Sequence, residues 1–466
     1  MKPGGAIRTH KLPPPPENYP KVPKISAETV RDCYLSVGDE PNYCNARIHV
    51  DSNLNIDTWR HYEPIISEHD PTLVDQIDCG FHMGIDHQFE FSIPVTNHLS
   101  ARSNYSAIDD FIIKHYEDGA LIGPFHVNPF PVCAYPSPMQ VVISASGKVR
   151  PVLDMSYPQK ASVNDSIPKV WTDIQGFDGV FKLPTHEDVC RAVLETEDPV
   201  MFITDLKSFY MQIPSDWRDT PYMCLSWRKA LWLHRRLPFG CRSSCLHAQR
   251  VTDAVVIIFK RENDGVHISG YVDDFSSVLR RLLSASAYAA FHKLLDNLGL
   301  LKTLEKCRSP DVIQIFLGLL YNLVDLTLTL PEDKLNRAIQ FLESWRLKDH
   351  CSKSEIQVLL GHLNHISSVL HAGKPFTAYI VDMLKADVFP AVIDENLKQD
   401  LVMWLQFLQS DFSRTSMIKA YDLAEVDAVV MVAVKGQTCV VSHMGTMKPF
   451  KLHMDVPHMA PHLMYL

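Results

Sequence analysis

Up to about residue 330 the apolar positions come in short alternating runs broken by Gly, Pro, Ser and Asp. Beyond Pro331 they lengthen into stripes at three- and four-residue spacing. In the first part, residues 106–116 carry Ile108, Phe111, Ile112 and Tyr116 at helical spacing, and Gly123-Pro124 and Asn128-Pro129 then break the chain. Residues 140–144 and 148–154 flank Ser146-Gly147 as a hairpin. Residues 200–205 read as a buried strand ending on a carboxylate, and 222–227 with 232–237 as a second hairpin. Residues 243–259 form a helix with Leu246, Val251, Ala254, Val255 and Ile258 on one side. Val266 and Ile268, then Phe275, Val278 and Leu279, mark two strands meeting at a tight turn. An amphipathic helix over 285–298 presents Tyr288, Phe291, Leu294, Leu295 and Leu298, and strands over 313–320 and 326–330 follow.

After Pro331 the pattern predicts helices over 334–345 (Leu335, Ile339, Leu342, Trp345) and 396–412 (Leu401, Trp404, Leu405, Leu408). Between them Ser352-Lys353-Ser354-Glu355 is a capping box opening a helix with Ile356, Leu359, Leu360, Leu363 and Ile366. One strand over 428–434 precedes a His- and Met-rich tail, and no internal repeat is visible. Strands joined by hairpins rather than by helical crossovers predict an α+β fold with an antiparallel sheet.

Composition narrows the class. A hydrophobic content of 46% excludes a disordered chain, and the 466 residues suggest two to four units at one per ~150 residues. Pro13 to Pro16, Pro20 and Pro23 predict a disordered polyproline tail over 1–24. No apolar run approaches the ~18 residues of a membrane span, and the first residues lack a secretory h-region. Eleven cysteines without paired spacing fit reduced thiols inside a cell, in cytoplasm or nucleus. A net charge of −9 argues against nonspecific coating of nucleic acid, local basic patches aside.

Candidate chemistry centres on Ser269-Gly270-Tyr271-Val272-Asp273-Asp274-Phe275. Adjacent carboxylates at a turn are ordinary, because Asp bonds nearby backbone. They also suit a divalent-cation site when a third carboxylate comes from another rigid element. Asp205, ending its strand, offers one; a lone Asp there is otherwise a cap. Leu237-Pro238-Phe239-Gly240 before a helix start is either a plain turn or a close approach for an anionic ligand.

Taken in order, Gly147-Lys148-Val149-Arg150 with Asp154, Asp205 with Phe209-Tyr210, Leu237-Pro238-Phe239-Gly240, Tyr271-Val272-Asp273-Asp274-Phe275, Leu298-Gly299-Leu300 with Glu305-Lys306, and Phe316-Leu317-Gly318 resemble the successive motifs of a reverse transcriptase. Ser162-Val163-Asn164-Asp165-Ser166-Ile167, Leu330-Pro331-Glu332-Asp333-Lys334-Leu335 and Leu359-Leu360-Gly361-His362-Leu363-Asn364-His365 are similar to the DIRS-like, tyrosine-recombinase group of retrotransposons. The resemblance runs from about residue 90 to 410. It implies a right-hand polymerase: an N-terminal extension over 25–130, fingers and an antiparallel palm over 131–330, a helical thumb over 331–390, and a connection with a truncated ribonuclease H-like remnant over 391–466.

Carried over by position, Asp205, Asp273 and the Leu206 carbonyl would hold two Mg2+ ions, with Mn2+ an alternative, and Asp274 would be the accessory carboxylate. Lys148 and Arg150 would meet the incoming triphosphate, Tyr210 would gate against a 2′-hydroxyl, and Phe239 and Gly240 would line the nucleotide pocket. Lys306 would protonate the leaving pyrophosphate, and Phe316, Leu317 and Gly318 would grip the primer. Lys334, Arg337, Arg346, Lys348 and Lys353 are the basic candidates for duplex contact. The implied partners are an RNA or DNA template with its primer and deoxynucleoside triphosphates. The implied reaction is RNA-directed DNA synthesis; the alternative is a catalytically impaired or host-adopted protein that binds nucleic acid.

Four departures bear on activity. The fingers strand Met139-Gln140-Val141-Val142-Ile143 lacks the expected lysines, and Phe209 stands where a small residue precedes the gate, able to crowd the sugar unless it turns into the core. Lys302-Thr303 replaces a proline-containing apolar stretch, and no Asp-Ala-Ser-Gly-like phrase opens a ribonuclease H domain, so that activity is not expected even with Asp422 or Asp427 nearby. His362 and His365, and Cys439, His443, His453 and His458, lack zinc-ligand spacing.

Overall fold

The computed structural model describes residues 12–37, 52–85, 89, 95–144, 147–168, 182–385, 389–410 and 415–418, and the backbone of the strands Val429–Val434, Thr438–His443 and Phe450–His453. In chain order the elements are α1 (Ala27–Val37), α2 (Ile56–Ile66), α3 (Leu73–Cys79), α4 (Leu99–Ser103), α5 (Tyr105–Glu117), β1 (Leu121–Phe125), β2 (Pro136–Ser137), β3 (Met139–Ile143) and β4 (Val149–Leu153). Next come α6 (His186–Glu195), β5 (Pro199–Asp205), β6 (Cys224–Trp227), β7 (Ala230–His234), α7 (Ser244–Glu262), β8 (His267–Tyr271), β9 (Asp274–Arg280) and α8 (Ser284–Asn297). The later elements are β10 (Arg308–Asp311), β11 (Ile313–Phe316), β12 (Leu319–Asn322), β13 (Thr327–Thr329), α9 (Glu332–Arg346), β14 (His350–Cys351), α10 (Lys353–Ser367), α11 (Ala378–Leu384), β15 (Ala391–Val392), α12 (Glu395–Gln409) and β16 (Thr415–Met417). The fold is mixed α+β.

A four-stranded antiparallel sheet in the order β10-β5-β9-β8 positions the carboxylates. Strand β5 is buried from Val200 to Asp205 because both faces are covered. Successive side chains point to opposite faces. Val200 and Phe202 join α7 and α8, where Phe202, Phe259 and Phe275 surround Phe291 with ring centroids 4.9 to 5.7 Å away. Met201 and Ile203 pack instead with Val189 and Val193 of α6 and Phe316 and Tyr321 of the next sheet, ordered β11-β12-β13-β16.

The stretch 313–320, expected as one strand, is two strands joined at Leu317-Gly318, both residues having positive φ (45° and 85°). Such a pair makes the tight hairpin turn whose twist matches its strands. Leu317 keeps the turn apolar, so hydrophobicity never dips to announce it. Helices α9, α10, α11 and α12 bury Leu342, Trp345, Leu359, Leu363, Leu401 and Trp404 in one shared core. A boundary at 390 therefore falls inside this four-helix unit.

The proline-rich segment lies against the fold from Leu12 onward instead of standing free. Tyr19 meets Trp232 edge-on, Arg228 donates to the Pro13 carbonyl at 2.6 Å, and Tyr116 donates to the Val22 carbonyl at 3.0 Å. A proline run has little backbone freedom left to lose on docking, so a few such contacts hold it. The N-terminal helices are clamped to the sheet's support by Arg250 of α7. This buried guanidinium donates to both oxygens of Asp70 (2.7 and 3.0 Å), to Gln76 (2.7 Å) and to Thr72 (2.9 Å). Asp70→Ala would strand that charge, and we expect a loss of about 3–5 kcal/mol, read as a lower urea midpoint; an unchanged midpoint would show that the clamp contributes nothing.

Candidate active site

Strand β5 delivers Asp205 to the sheet's end, directly across from Asp274, the first residue of β9. Asp273 sits in the two-residue turn before it, and the Leu206 N–H donates to the Asp273 carbonyl at 2.8 Å. The segment after α8 zips onto the same end. Lys207 N–H donates to Leu301 O and Thr303 N–H to Asp205 O, both at 2.8 Å, and the Gln212 side chain takes the Leu301 N–H at 2.7 Å while donating to Leu301 O and Lys207 O. Lys302-Thr303 thus makes the pairing itself, with Lys302 Nζ tied to Asp296 at 2.6 Å.

That pairing carries Lys306 to the carboxylates, where its Nζ donates to Asp205 Oδ2 at 2.6 Å. The Asp205 hydrogen bond, aided by the three carboxylate charges, raises the Lys306 ammonium above its usual range. Burial, then the charges of Asp273 and Asp205, push Asp274 up to about 7. Asp273 is also raised, by burial first and the Asp205 charge next, against the lowering effect of its own backbone N–H. Asp205 Oδ1 is buried and receives no hydrogen bond.

The turn has a support that the sequence did not disclose. Val272 adopts φ 54°, a costly conformation for a β-branched residue. Gln249 of α7 accepts the Val272 N–H at 2.8 Å and donates to Gly270 O at 2.9 Å, while Thr252 donates to the Val272 carbonyl. A side chain at Gly270 would have no room, since its Cβ would lie 2.2 Å from the Thr252 methyl carbon. Nothing in the periodicity of α7 marks Gln249 for this task, since the helix buries other polar residues as well, His247, Arg250 and Thr252 among them.

Beside the carboxylates, Tyr210 and Phe239 stack with ring centroids 4.9 Å apart and planes at 29°. Phe239 is 43% exposed, whereas Phe209 is buried in the main core, so its bulk does not crowd this face. Gly240, at φ 109°, passes so near β4 that a Cβ would sit 2.0 Å from Leu153 O. Asn164 fixes this loop, donating to Gly240 O and accepting from Arg242 N–H, both at 2.8 Å. Lys148 and Arg150 are exposed on the β3–β4 hairpin and are not drawn into the carboxylate cluster. Phe316 is buried, and the Leu317-Gly318 tip abuts the four-helix unit, where a Cβ on Gly318 would meet Lys334 Nζ at 2.1 Å and His365 at 3.2 Å. Arg337 pairs with Asp333 and Lys348 with Glu355, so these two basic candidates already have acidic partners. Asp422, Asp427 and His458, and the side chains of Cys439, His443 and His453, lie outside the described residues.

The donor set suits a hard divalent cation in kind: carboxylate oxygens, one of them buried without a donor. It is not a closed cage. Among the described residues no three or more His, Cys, Asp or Glu gather tightly enough to chelate an ion alone. An ion here would need further oxygens, as Mg2+ takes from substrate phosphates. Nor is any helix among the described residues long and apolar enough to cross a membrane.

No protein-family model matches the sequence, and no curated protein matches it. The fold is similar to that of the foamy viral protease-reverse transcriptase. Its dRH form in complex with double-stranded DNA aligns over 86% of this chain and 65% of that one, at TM-score 0.54 and 15% identity. The RNA/DNA-hybrid complex aligns over 86% of this chain and 50% of that one, at TM-score 0.55 and 15% identity. This chain therefore spans less than two thirds of either relative's length. At that identity the likeness is one of fold, and the fold is reverse-transcriptase-like.

Proposed function

We propose that the chain is an RNA-directed DNA polymerase of retrotransposon origin, of the DIRS-like kind, with residues 131–330 as fingers and palm and the four-helix unit as thumb. The observation that carries this reading is the convergence of Asp205, Asp273 and Asp274 from neighbouring antiparallel strands, with Lys306 bonded to Asp205. The fold it shares with a reverse transcriptase seen on DNA and on RNA/DNA hybrid supports a primed template as partner.

The reaction is attack of a primer 3′-hydroxyl on the α-phosphate of a deoxynucleotide, with pyrophosphate leaving, a step governed by positioning and electrostatics. Asp205 and Asp273, with the Leu206 carbonyl and Asp274 beside them, would hold two Mg2+ or Mn2+ ions. Such ions, when bound, supply positive charge for the attacking and leaving oxygens. Lys306, kept protonated by its bond to Asp205 and the carboxylate charges around it, is placed to give a proton to the leaving pyrophosphate. Exposed Phe239, on a loop that Gly240 seats against β4, would line the nucleotide pocket, and Arg150 and Lys148 would reach the phosphates from the outer hairpin. Leu317 and Gly318, at the tip of the hairpin that buried Phe316 anchors, would hold the primer end between palm and thumb.

Tyr210 stands where the sugar's 2′ side would lie. Tyr210→Ala should raise the relative kcat/KM for ribonucleotides about 10- to 100-fold, measured by competing ribo- and deoxynucleotides; an unchanged ratio would remove the gate role.

A second reading, a nucleic-acid-binding protein without turnover, is favoured by the fingers strand Met139–Ile143, which carries no lysine, and by Lys148 and Arg150 standing apart from the carboxylates. Primer extension on a primed RNA template separates the two. The polymerase reading expects elongation that Asp273→Asn abolishes. Salt-dependent binding with equal, background elongation from both proteins would favour the second.

A further inference from the structure

We infer that Asp253 is a positioning residue for the Asp273 turn, acting through the Gln249 side chain, a role that rests on the polymerase reading for its catalytic consequence. Asp253 lies one helical turn beyond Gln249 on α7 and accepts a 2.8 Å hydrogen bond from Gln249 Nε2. The same nitrogen donates at 2.9 Å to Gly270 O, and Gln249 Oε1 accepts from Val272 N–H at 2.8 Å. Three bonds thus fix one carboxamide. Gly270 O and Val272 N–H set which end is oxygen and which is nitrogen, since a flipped amide would face donor with donor and acceptor with acceptor. Asp253 supplies what those two cannot, an anchor on the helix itself, so the amide is held from behind as well as in front.

The anchor matters because Val272 resists its own conformation. At φ 54° its branched side chain favours relaxation out of the turn, and surrounding bonds must oppose this. Relaxation would move Asp273, whose carbonyl is bonded to Leu206 N–H, and through it the end of β5 that bears Asp205. The route from Asp253 to both carboxylates is therefore continuous: Asp253, Gln249, Val272, Asp273, Leu206. Asp253 also lines a cavity of about 290 Å³ behind the hairpin, together with Lys260, His267 and Gly270. From there its carboxylate takes no direct part at the front face where the carboxylates stand.

The test combines kinetics with amide hydrogen exchange on the full chain. Asp253→Leu and Asp253→Ala should lower kcat about 10- to 100-fold with little change in nucleotide KM, and Asp253→Asn, whose carbonyl oxygen can still accept, should restore most of it. In a Gln249→Leu background the Asp253→Leu change should have no further effect, because its target is gone. Independently of activity, exchange at the Val272 amide should quicken at least several-fold in Asp253→Leu and stay slow in Asp253→Asn. Unchanged Val272 exchange in both Asp253→Leu and Asp253→Ala, or effects on kcat that add to those of Gln249→Leu, would overturn the inference. Should the wild-type chain elongate nothing, the polymerase reading fails, and the exchange result still decides whether Asp253 sets the turn.

Discussion

Asp273→Asn is expected to cut templated incorporation by on the order of 10³-fold or more while making the folded chain more stable. The amide is nearly isosteric, and the Leu206 N–H bond goes to the Asp273 backbone carbonyl, so the hairpin keeps its form. What is lost is a negative charge that the chemistry needs and the fold does not. In the unliganded chain three carboxylates face one ammonium, and burial first, then the charges of Asp273 and Asp205, push Asp274 up to about 7. A carboxyl raised in the folded state binds more protons there than in the unfolded chain. Stability accordingly falls as pH rises from about 4, the unfolded value, through about 7. Removing the Asp273 charge relieves the part of that shift that burial does not cause, so the variant's gain in melting temperature should be largest at pH 8 and small at pH 5. Thermal melts in chelator-containing buffer read this directly. A variant that melts lower than wild type at pH 8, or that still elongates, contradicts the account.

Lys306→Ala is expected to have the opposite effect on stability and a similarly large one on rate. Its ammonium is the cation bonded to buried Asp205. Without it the carboxylates repel unopposed, and the melting temperature near neutral pH should drop. Loss of a proton donor to the leaving group should lower kcat about 10²- to 10⁴-fold. Lys306→Arg separates the two roles. Arginine restores the charge, and hence much of the stability, but does not release a proton at accessible pH. A fast Lys306→Arg enzyme would reduce Lys306 to an electrostatic partner of Asp205. In the double variant Lys306→Ala/Asp273→Asn, stability should recover while activity stays lost.

Local patterns carried much of this fold. The hairpin around residues 139–153, the helices α5, α7, α8 and α9 and the Ser352–Glu355 capping box all appear where period, turn residues and caps place them. What local pattern could not carry was anything settled by distant contact. Leu317 turns the chain while remaining apolar, so the β11–β12 hairpin looked like one strand. The polyproline segment finds Trp232 and Arg228, more than 200 residues away in sequence, and docks. Helix α12 belongs with α9 to α11 because Trp404 and Leu401 complete their core, a fact no boundary signal near 390 announces.

The site divides in the same way. Asp205, Asp273 and Asp274 were legible from motif order, and the sheet register brings them together. Phe209 was legible only as a concern; its direction into the core came from packing. Gln249, Thr252 and Asp253 were invisible because helix periodicity says which face is buried, not what a buried amide will bond. The Lys306–Asp205 bond depends on the 301–306 segment pairing with 205–207 across about 100 residues of chain.

The most direct measurement is incorporation of a single deoxynucleotide onto a primer annealed to RNA, with pyrophosphate counted alongside. With Mg2+ or Mn2+ the wild-type chain should add one nucleotide and release one pyrophosphate. Neither product should form with a 3′-deoxy primer or with Asp273→Asn. Equal background from wild type and Asp273→Asn on an intact primer, in protein shown to be folded, would contradict the polymerase reading.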